Sequence, residues 1–293
     1  MDFSIIIVSH NRKEELKQTL DIINLIRDKS RCEIIVHLDG CSDGSSDLVN
    51  QYLDINWSFS DERIGASPSR NIAFNLANGD ILIGLDDDSH PIGCDFFDVI
   101  NEIFLKNDKV GILAMEEIRI PGWQDDELGQ ANSELEEYLT NEFIGCGFAI
   151  RREVYSQITG FPIWMTIYGE EACVSIEVLN INYKILFSNR VRVIHRLDRG
   201  KRKAHGLDIL RFRKQIVNTA GYYIIYHPNP LRKIPRLLTH NFLKYALINM
   251  LYFTHYFRAI SQLIWKTPFF LKHRSPVKKS TIEKIYSLPS IRY

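Results

Sequence analysis

Three short apolar runs constrain this chain more than any other feature. They are Ser4-Ile5-Ile6-Ile7-Val8-Ser9, Glu33-Ile34-Ile35-Val36-His37-Leu38 and Ile81-Leu82-Ile83-Gly84-Leu85. Each is too short for a core helix and rich in branched side chains, so each predicts a buried strand. Between them, Leu16, Leu20, Ile23 and Ile26 fall at helical spacing over residues 12–27, and further helices are predicted over 46–53 and 68–78. Strands alternating with helices require a mostly parallel sheet with both faces covered. Ligands of such sheets bind outside the carboxyl ends of the strands. Ser9-His10-Asn11-Arg12, Asp39 and Asp86-Asp87-Asp88 would all meet at that edge.

The triple carboxylate at 86–88 is the sharpest of these clusters. Three adjacent acids repel one another unless water, a cation or a basic partner offsets their charge. Carboxylate oxygens at a sheet edge suit Mg²⁺ or Mn²⁺, ions that commonly hold substrate phosphates. A solvated turn ending in Ser89-His90-Pro91 is the competing reading.

Composition narrows the class. The 293 residues are 45% hydrophobic and 25% charged, as in a globular protein. Five cysteines (Cys32, Cys41, Cys94, Cys146, Cys173) show no Cys-x-x-Cys spacing, which argues against a zinc ribbon or disulfide framework and suits a reducing compartment. Residues 1–10 read as a strand and not as a signal peptide. The net charge of zero hides an asymmetry. Residues 1–189 carry 14 Lys+Arg against 33 Asp+Glu, and residues 190–293 carry 22 against 3. The acidic part could host a cation; the basic part could face phosphates, anionic lipid or the acidic part itself.

The ordered series Ile5–Arg12, Asp39-Gly40-Cys41-Ser42-Asp43-Gly44-Ser45, Gly65-Ala66-Ser67-Pro68-Ser69-Arg70-Asn71 and Asp86-Asp87-Asp88 resembles a family 2 glycosyltransferase. The resemblance continues through Gly145-Cys146-Gly147-Phe148-Ala149-Ile150-Arg151-Arg152, Gly160-Phe161, Tyr168-Gly169-Glu170-Glu171 and Val193-Ile194-His195. It implies a GT-A fold (Rossmann-like, a mostly parallel central sheet flanked by helices) over residues 1–198, with a basic helical extension over 199–293. It also implies an inverting, metal-dependent transfer from a nucleotide-diphosphate sugar, of which UDP or dTDP sugars fit best.

Carried over residue by residue, the resemblance gives each motif a role. Ser9, Asn11 and Arg12 would line the nucleotide pocket, although Arg12 also suits a solvated first turn. Asp39 would hold the base or ribose, or else cap its own turn through Ser42 and Gly44. Arg70 would pair with the diphosphate, where a guanidinium fork matches phosphate oxygens; otherwise it is an exposed helix arginine. Asp88 would ligate Mn²⁺ or Mg²⁺, with Asp86 on ribose or a metal-bound water and Asp87 in either role. His195 would complete the metal set, or serve as a structural histidine. Glu171, or its neighbour Glu170, would be the general base. The alternatives are a nucleotidyltransferase, which would bring a glycine- and lysine-rich phosphate loop that residues 9–12 lack, and a glycan-binding or scaffold protein with a degenerate GT-A fold.

Four further expectations concern less patterned segments. Residues 123–137 read as an acceptor loop, and Trp164 as a packing or sugar-stacking residue. The basic stretch 196–205 reads as a lid over the diphosphate or a plain solvated loop. Residues 237–271 are apolar and aromatic, but Lys244, His255, Arg258 and Lys266 interrupt them and Pro268 breaks the pattern, so no spanning helix is expected. Flanked by Arg232, Lys233, Arg236, Lys272, Arg274, Lys278 and Lys279, they suit helices lying on an anionic membrane, or packing on the catalytic unit, or forming a homodimer. The acceptor is expected to be a lipid-linked or growing surface glycan at the cytoplasmic face of a bacterial membrane, and no nucleic-acid motif is present.

Overall fold

The computed structural model describes residues 2–119, 134–165, 168–196 and 207–291. The three apolar runs form β1 (Phe3–Ser9), β2 (Cys32–Asp39) and β4 (Ile81–Asp86). They share a sheet with β3 (Asn56–Ser60), β5 (Ser89–Ile92), β6 (Val110–Arg119), β7 (Glu137–Thr140), β8 (Gly147–Arg151) and β9 (Lys184–His195). The order is β3-β2-β1-β4-β8-β6-β9-β5, with β7 also paired to β9. The β3-β2-β1-β4 half is parallel, as the strand–helix alternation requires. Beyond it β8 runs antiparallel between β4 and β6, and β9 is parallel to β6 but antiparallel to β5 and β7. A register shift near Met115 divides β9, so that its first half pairs with β7 and its second half with β5.

Alternate side chains of each strand serve opposite faces. Ile5, Ile7, Ile34 and Val36 pack against Leu16 and Leu20 of α1 (Lys13–Ile26) and Phe96, Ile100 and Phe104 of α3 (Phe96–Lys106). Ile6, Ile35 and Phe148 pack against Ala73 and Phe74 of α2 (Ala66–Asn75) and, beyond the short α4 (Arg152–Tyr155), Val174 and Val178 of α5 (Glu170–Asn180). The segment after Gly44 forms a 3-10 turn, Ser45–Asn50, in place of a full α-helix.

The C-terminal region is helical: α6 (Leu207–Tyr226), α7 (Pro230–Asn241), a π-helical turn Phe242–Ala246, α8 (Met250–Lys272) and α9 (Lys279–Ser287). A third core joins it to the sheet unit, with Met165, Cys173 and Ile176 packed among Phe212, Ile216, Leu263 and Phe270. Trp164 belongs to this packing, its ring edge-on to Phe270 at 5.3 Å. Pro268 does not end the helix. α8 runs through it, and Phe270 beyond it is fully buried in the third core. No described helix is long and apolar enough to cross a membrane. The expected acceptor loop lies outside the described residues up to 133, and Glu137 opens β7. Of the basic stretch 196–205 only Arg196 is described.

Candidate active site

Asp86 ends β4, Ser89 opens β5, and Asp87-Asp88 make the link between them. The Ser89 hydroxyl donates to the Cys146 carbonyl (2.7 Å) and accepts from the Asp86 amide (2.9 Å), so the link is held from below. β5 lies opposite the end of β9 with Ser89 facing His195, which brings two segments a hundred residues apart to one point.

The three carboxylates diverge from there. Asp86 is about one-third exposed and accepts from Arg70 at 2.8 Å. Asp87 is buried, accepting from the Ser9 hydroxyl (2.7 Å) and Arg12 (2.8 Å). Asp88 is buried between Arg12 (2.7 Å) and the Nε2 of His195 (3.2 Å). Asp86, Asp88 and His195 place ligand atoms within 4.8 Å of one another. Ser9, Arg12 and Asp87 meet on the other side of the link and hold one another.

Electrostatics follow these partners. Burial pushes the Asp87 carboxyl up to about 7 against the pull of Arg12. Burial acts the same way on Asp88, but His195 and Arg12 outweigh it and hold that carboxyl at about 2. Burial opposes charge on His195; Asp88, Cys146 and Glu117 outweigh it and raise the imidazole to about 12. An imidazolium and a guanidinium therefore balance the acidic link. Asp88 Oδ1 is buried without an aligned hydrogen-bond donor, facing the imidazole. Two carboxylates and an imidazole around such an oxygen fit a divalent cation, which would displace the imidazole proton.

The donor-side residues surround this cluster. Asp39 is buried, and its oxygens accept from the Ile64 and Gly65 amides at 2.7 and 2.9 Å. It thus ties β2 to the entry of α2 and does not cap its own turn, and each oxygen keeps a second acceptor site. Asn11 sits in the left-handed region (φ +54°) and accepts from the Ser42 amide at 2.7 Å, while Asp43 accepts from the Lys13 amide at 2.9 Å. These bonds lock the 39–45 turn to the start of α1. Arg70 is largely buried, between Asp86, Glu170 (3.6 Å) and the face of Phe161 (5.2 Å), which excludes an exposed helix arginine.

Glu170 and Glu171 open α5, behind Tyr168 (φ +80°) and Gly169 (φ +104°), both left-handed. Asn218 of α6 donates to the Tyr168 carbonyl at 3.2 Å, and Arg211 of α6 lies 4.2 Å from its ring. Glu170 is buried against Arg70. Burial, followed by the charge of Glu170, pushes Glu171 up to about 7. A Cβ at Gly145 would lie 2.5 Å from the Glu171 Oε1 and 3.0 Å from Arg70, so the residue before Cys146 must be glycine for these groups to converge.

Glu117 escaped the sequence reading, and Arg196, read there as the start of a lid or solvated loop, is tied to α1 and β5. Glu117 of β6 accepts from the Nδ1 of His195 at 2.5 Å, which directs Nε2 toward Asp88; burial opposes its charge, but His195 and Arg119 hold the carboxyl at about 2. Arg196 reaches under the link to the Thr19 hydroxyl (2.7 Å) and the Glu15 carbonyl (2.9 Å) of α1, and contacts His90 at 2.6 Å. The only sequence signal for Glu117 was an acidic pair, Glu116-Glu117, closing an apolar strand.

Residues 4–159 match the model of glycosyl transferase family 2, more than half of the chain. The chain belongs to that family. A probable glycosyltransferase of Bacillus subtilis, YdaM, is 26% identical over 213 residues, covering 63% of this chain and 48% of that relative. The chain thus spans about half the length of this curated relative. An uncharacterized protein of Haemophilus influenzae is 26% identical over 175 residues, 54% of this chain and 92% of that one. Solved GT-A structures share the fold of this family 2 member. Staphylococcus aureus TarS 1–349 with UDP-GlcNAc superposes with TM-score 0.60 at 14% identity, over 90% of this chain and 81% of that one. The Pyrobaculum calidifontis mannosyltransferase PcManGT, with GDP-Man and Mn²⁺, gives 0.57 at 14% identity, over 97% and 83%.

Proposed function

We propose that this chain is a metal-dependent, inverting glycosyltransferase that moves a sugar from a nucleotide-diphosphate donor to a hydroxyl of a lipid-linked or growing glycan. The observation that carries the reading is the convergence of Asp86, Asp88 and His195 with Arg70 and the Glu170–Glu171 pair at one strand-end edge. The relatives whose structures hold UDP-GlcNAc, or GDP-Man with Mn²⁺, support a nucleotide sugar and a divalent ion.

Asp86, Asp88 and His195 would hold Mn²⁺ or Mg²⁺, which when bound supplies Lewis-acid neutralisation of the departing diphosphate. Arg70 presents its fork to the same phosphates once it exchanges Asp86 for them. Asn11 and Asp39 line the nucleotide side, and Ser9, Arg12 and Asp87 set the link that carries Asp88. Glu171 takes the proton of the acceptor hydroxyl as that oxygen attacks the sugar C1 opposite the diphosphate, which inverts the anomeric centre. Its raised pKa suits a base at neutral pH, and Glu170 serves as the counterion of Arg70.

The helical region supports contact with an anionic membrane. Residues 209–282 contain thirteen Lys+Arg and no Asp or Glu. Leu231, Ile248, Met250, Ile264 and Trp265 are each more than two-thirds exposed. Apolar tips among cations suit a bilayer surface at the cytoplasmic side, whereas a symmetric homodimer through this face would set like charges together.

The deciding experiment is a thermal-shift screen of UDP-, dTDP- and GDP-sugars with Mn²⁺. Stabilisation by one nucleotide class, lost with chelator, is expected. Absence of any shift with every donor, in Mn²⁺ and in Mg²⁺, would refute the reading.

A further inference from the structure

A buried cysteine ordinarily acts as a small apolar side chain, and Cys32 and Cys173 do so in the first and third cores. Cys146 also packs in the first core, but it has polar company as well. Its sulfur lies within 4.8 Å of ligand atoms of both Glu117 and His195, which themselves are 2.5 Å apart. Among the described residues two such three-residue sets exist, Glu117–Cys146–His195 and Asp86–Asp88–His195, and they share one imidazole.

The two sets differ in chemistry. Two carboxylates and an imidazole suit a hard ion, whereas thiolate, imidazole and carboxylate are the ligands of Zn²⁺. We propose that Glu117, Cys146 and His195 form a second, softer site for a thiophilic divalent ion such as Zn²⁺, and that filling it disfavours a hard ion on the adjoining Asp86–Asp88 set, with which it shares His195. The Cys146 S–H bond and one imidazolium N–H bond of His195 break, both protons leave to solvent, and sulfur–metal and nitrogen–metal bonds form with no change of oxidation state. Cys146 and His195 are buried, and the solvent-facing member of the adjoining set is Asp86, about one-third exposed. The competition with a hard ion rests on the reading of the Asp86–Asp88 set given above; the softer site does not.

Two measurements on the full chain separate these points. Titration with Cd²⁺ should produce a near-ultraviolet sulfur-to-metal charge-transfer band that saturates at a single equivalent. Cys146→Ser should lose it, and Cys94→Ser, which alters the exposed cysteine, should keep it. Cys146→Ala, checked for cooperative unfolding, replaces the serine variant if serine destabilises the fold. A band that survives in both Cys146 variants, or no band in the native chain, overturns the proposal. In the second measurement, release of bound Mn²⁺ is followed by its electron paramagnetic resonance signal as Zn²⁺ is added. Release should need about tenfold more Zn²⁺ in Cys146→Ser, the low end of what losing a metal-site partner costs. Equal potency in both proteins would mean that Zn²⁺ acts only at the carboxylates, and would overturn the competition. A native chain that binds no Mn²⁺ but gives the cadmium band would overturn the hard-ion reading and leave the softer site standing.

Discussion

Glu170 and Glu171 share one helical turn but not one environment. Glu170 is committed to Arg70, while Glu171, half-buried, has its carboxyl pushed up to about 7, first by burial and then by Glu170. A base must be deprotonated to accept the acceptor's proton, so kcat/KM is expected to fall as pH drops below about 7 and to level off above it. A pH–rate profile checks this. Glu171→Gln is expected to lower kcat by about 10²–10⁴-fold, the usual yield of general-base catalysis, with donor affinity retained in calorimetry. A variant that turns over at the native rate would remove Glu171 from the role. Asp88→Asn, by contrast, is expected to weaken donor binding in Mn²⁺ and to leave metal-free binding nearly unchanged; calorimetry with and without Mn²⁺ reads both.

Among the elements, the β4–β8 pair carries the tightest constraint. Gly84 lies opposite Phe148, and the phenyl ring covers the glycine so closely that a Cβ would fall 2.2 Å from it. The same ring stacks on Phe74 at 5.9 Å and packs on Phe143 at 4.5 Å, so it cannot yield easily. Gly84→Ala is expected to destabilise the protein by about 1–3 kcal/mol, as overpacked cores do, measured as a lower denaturant midpoint with unchanged slope. Elements of this kind also mark where sequence reasoning stops. Asp86, Asp88 and Arg70 were legible because each sits at the end of a strand or in a local motif whose period is visible in the chain. Glu117 was not, because it meets His195 only through the β6–β9 register across 78 residues. β5 and β7 were not, because four residues, one of them Pro91, carry little periodicity and gain strand geometry only from β9. Arg12 reads in sequence as a nucleotide contact or a solvated first-turn residue, and its fork onto Asp87 and Asp88 is not foreseen there. Local pattern cannot say which of several nearby charges an arginine will meet.

At the scale of the whole molecule, the basic helices and the acidic sheet edge are parts of one packed body. If the α7–α8 face meets lipid, the protein should float with vesicles containing anionic phospholipid at low ionic strength. It should separate from them near 1 M salt, where the Debye length falls to about 3 Å. Ile248→Asp, at one of the most exposed apolar positions, should reduce flotation without shifting the unfolding temperature. The end of the described chain is tied to the sheet unit itself. The Thr140 hydroxyl donates to the Pro289 carbonyl at 2.8 Å, Asn141 to the Ile285 and Leu288 carbonyls, and the Ile291 amide to Glu142 at 3.0 Å, with Ile291 buried in the second core. Removing residues 279–293 is therefore expected to lower the unfolding temperature measured by calorimetry, even though no proposed site residue is lost.

Those same bonds have a kinetic consequence. They close loops of about 150 residues, and closing distant loops slows the search for the native state. During synthesis, β7 and the second core must wait for a segment made 149 residues later. A chain stalled before residue 279 would hold the parallel half of its sheet with part of that core uncovered, a species open to association with its neighbours.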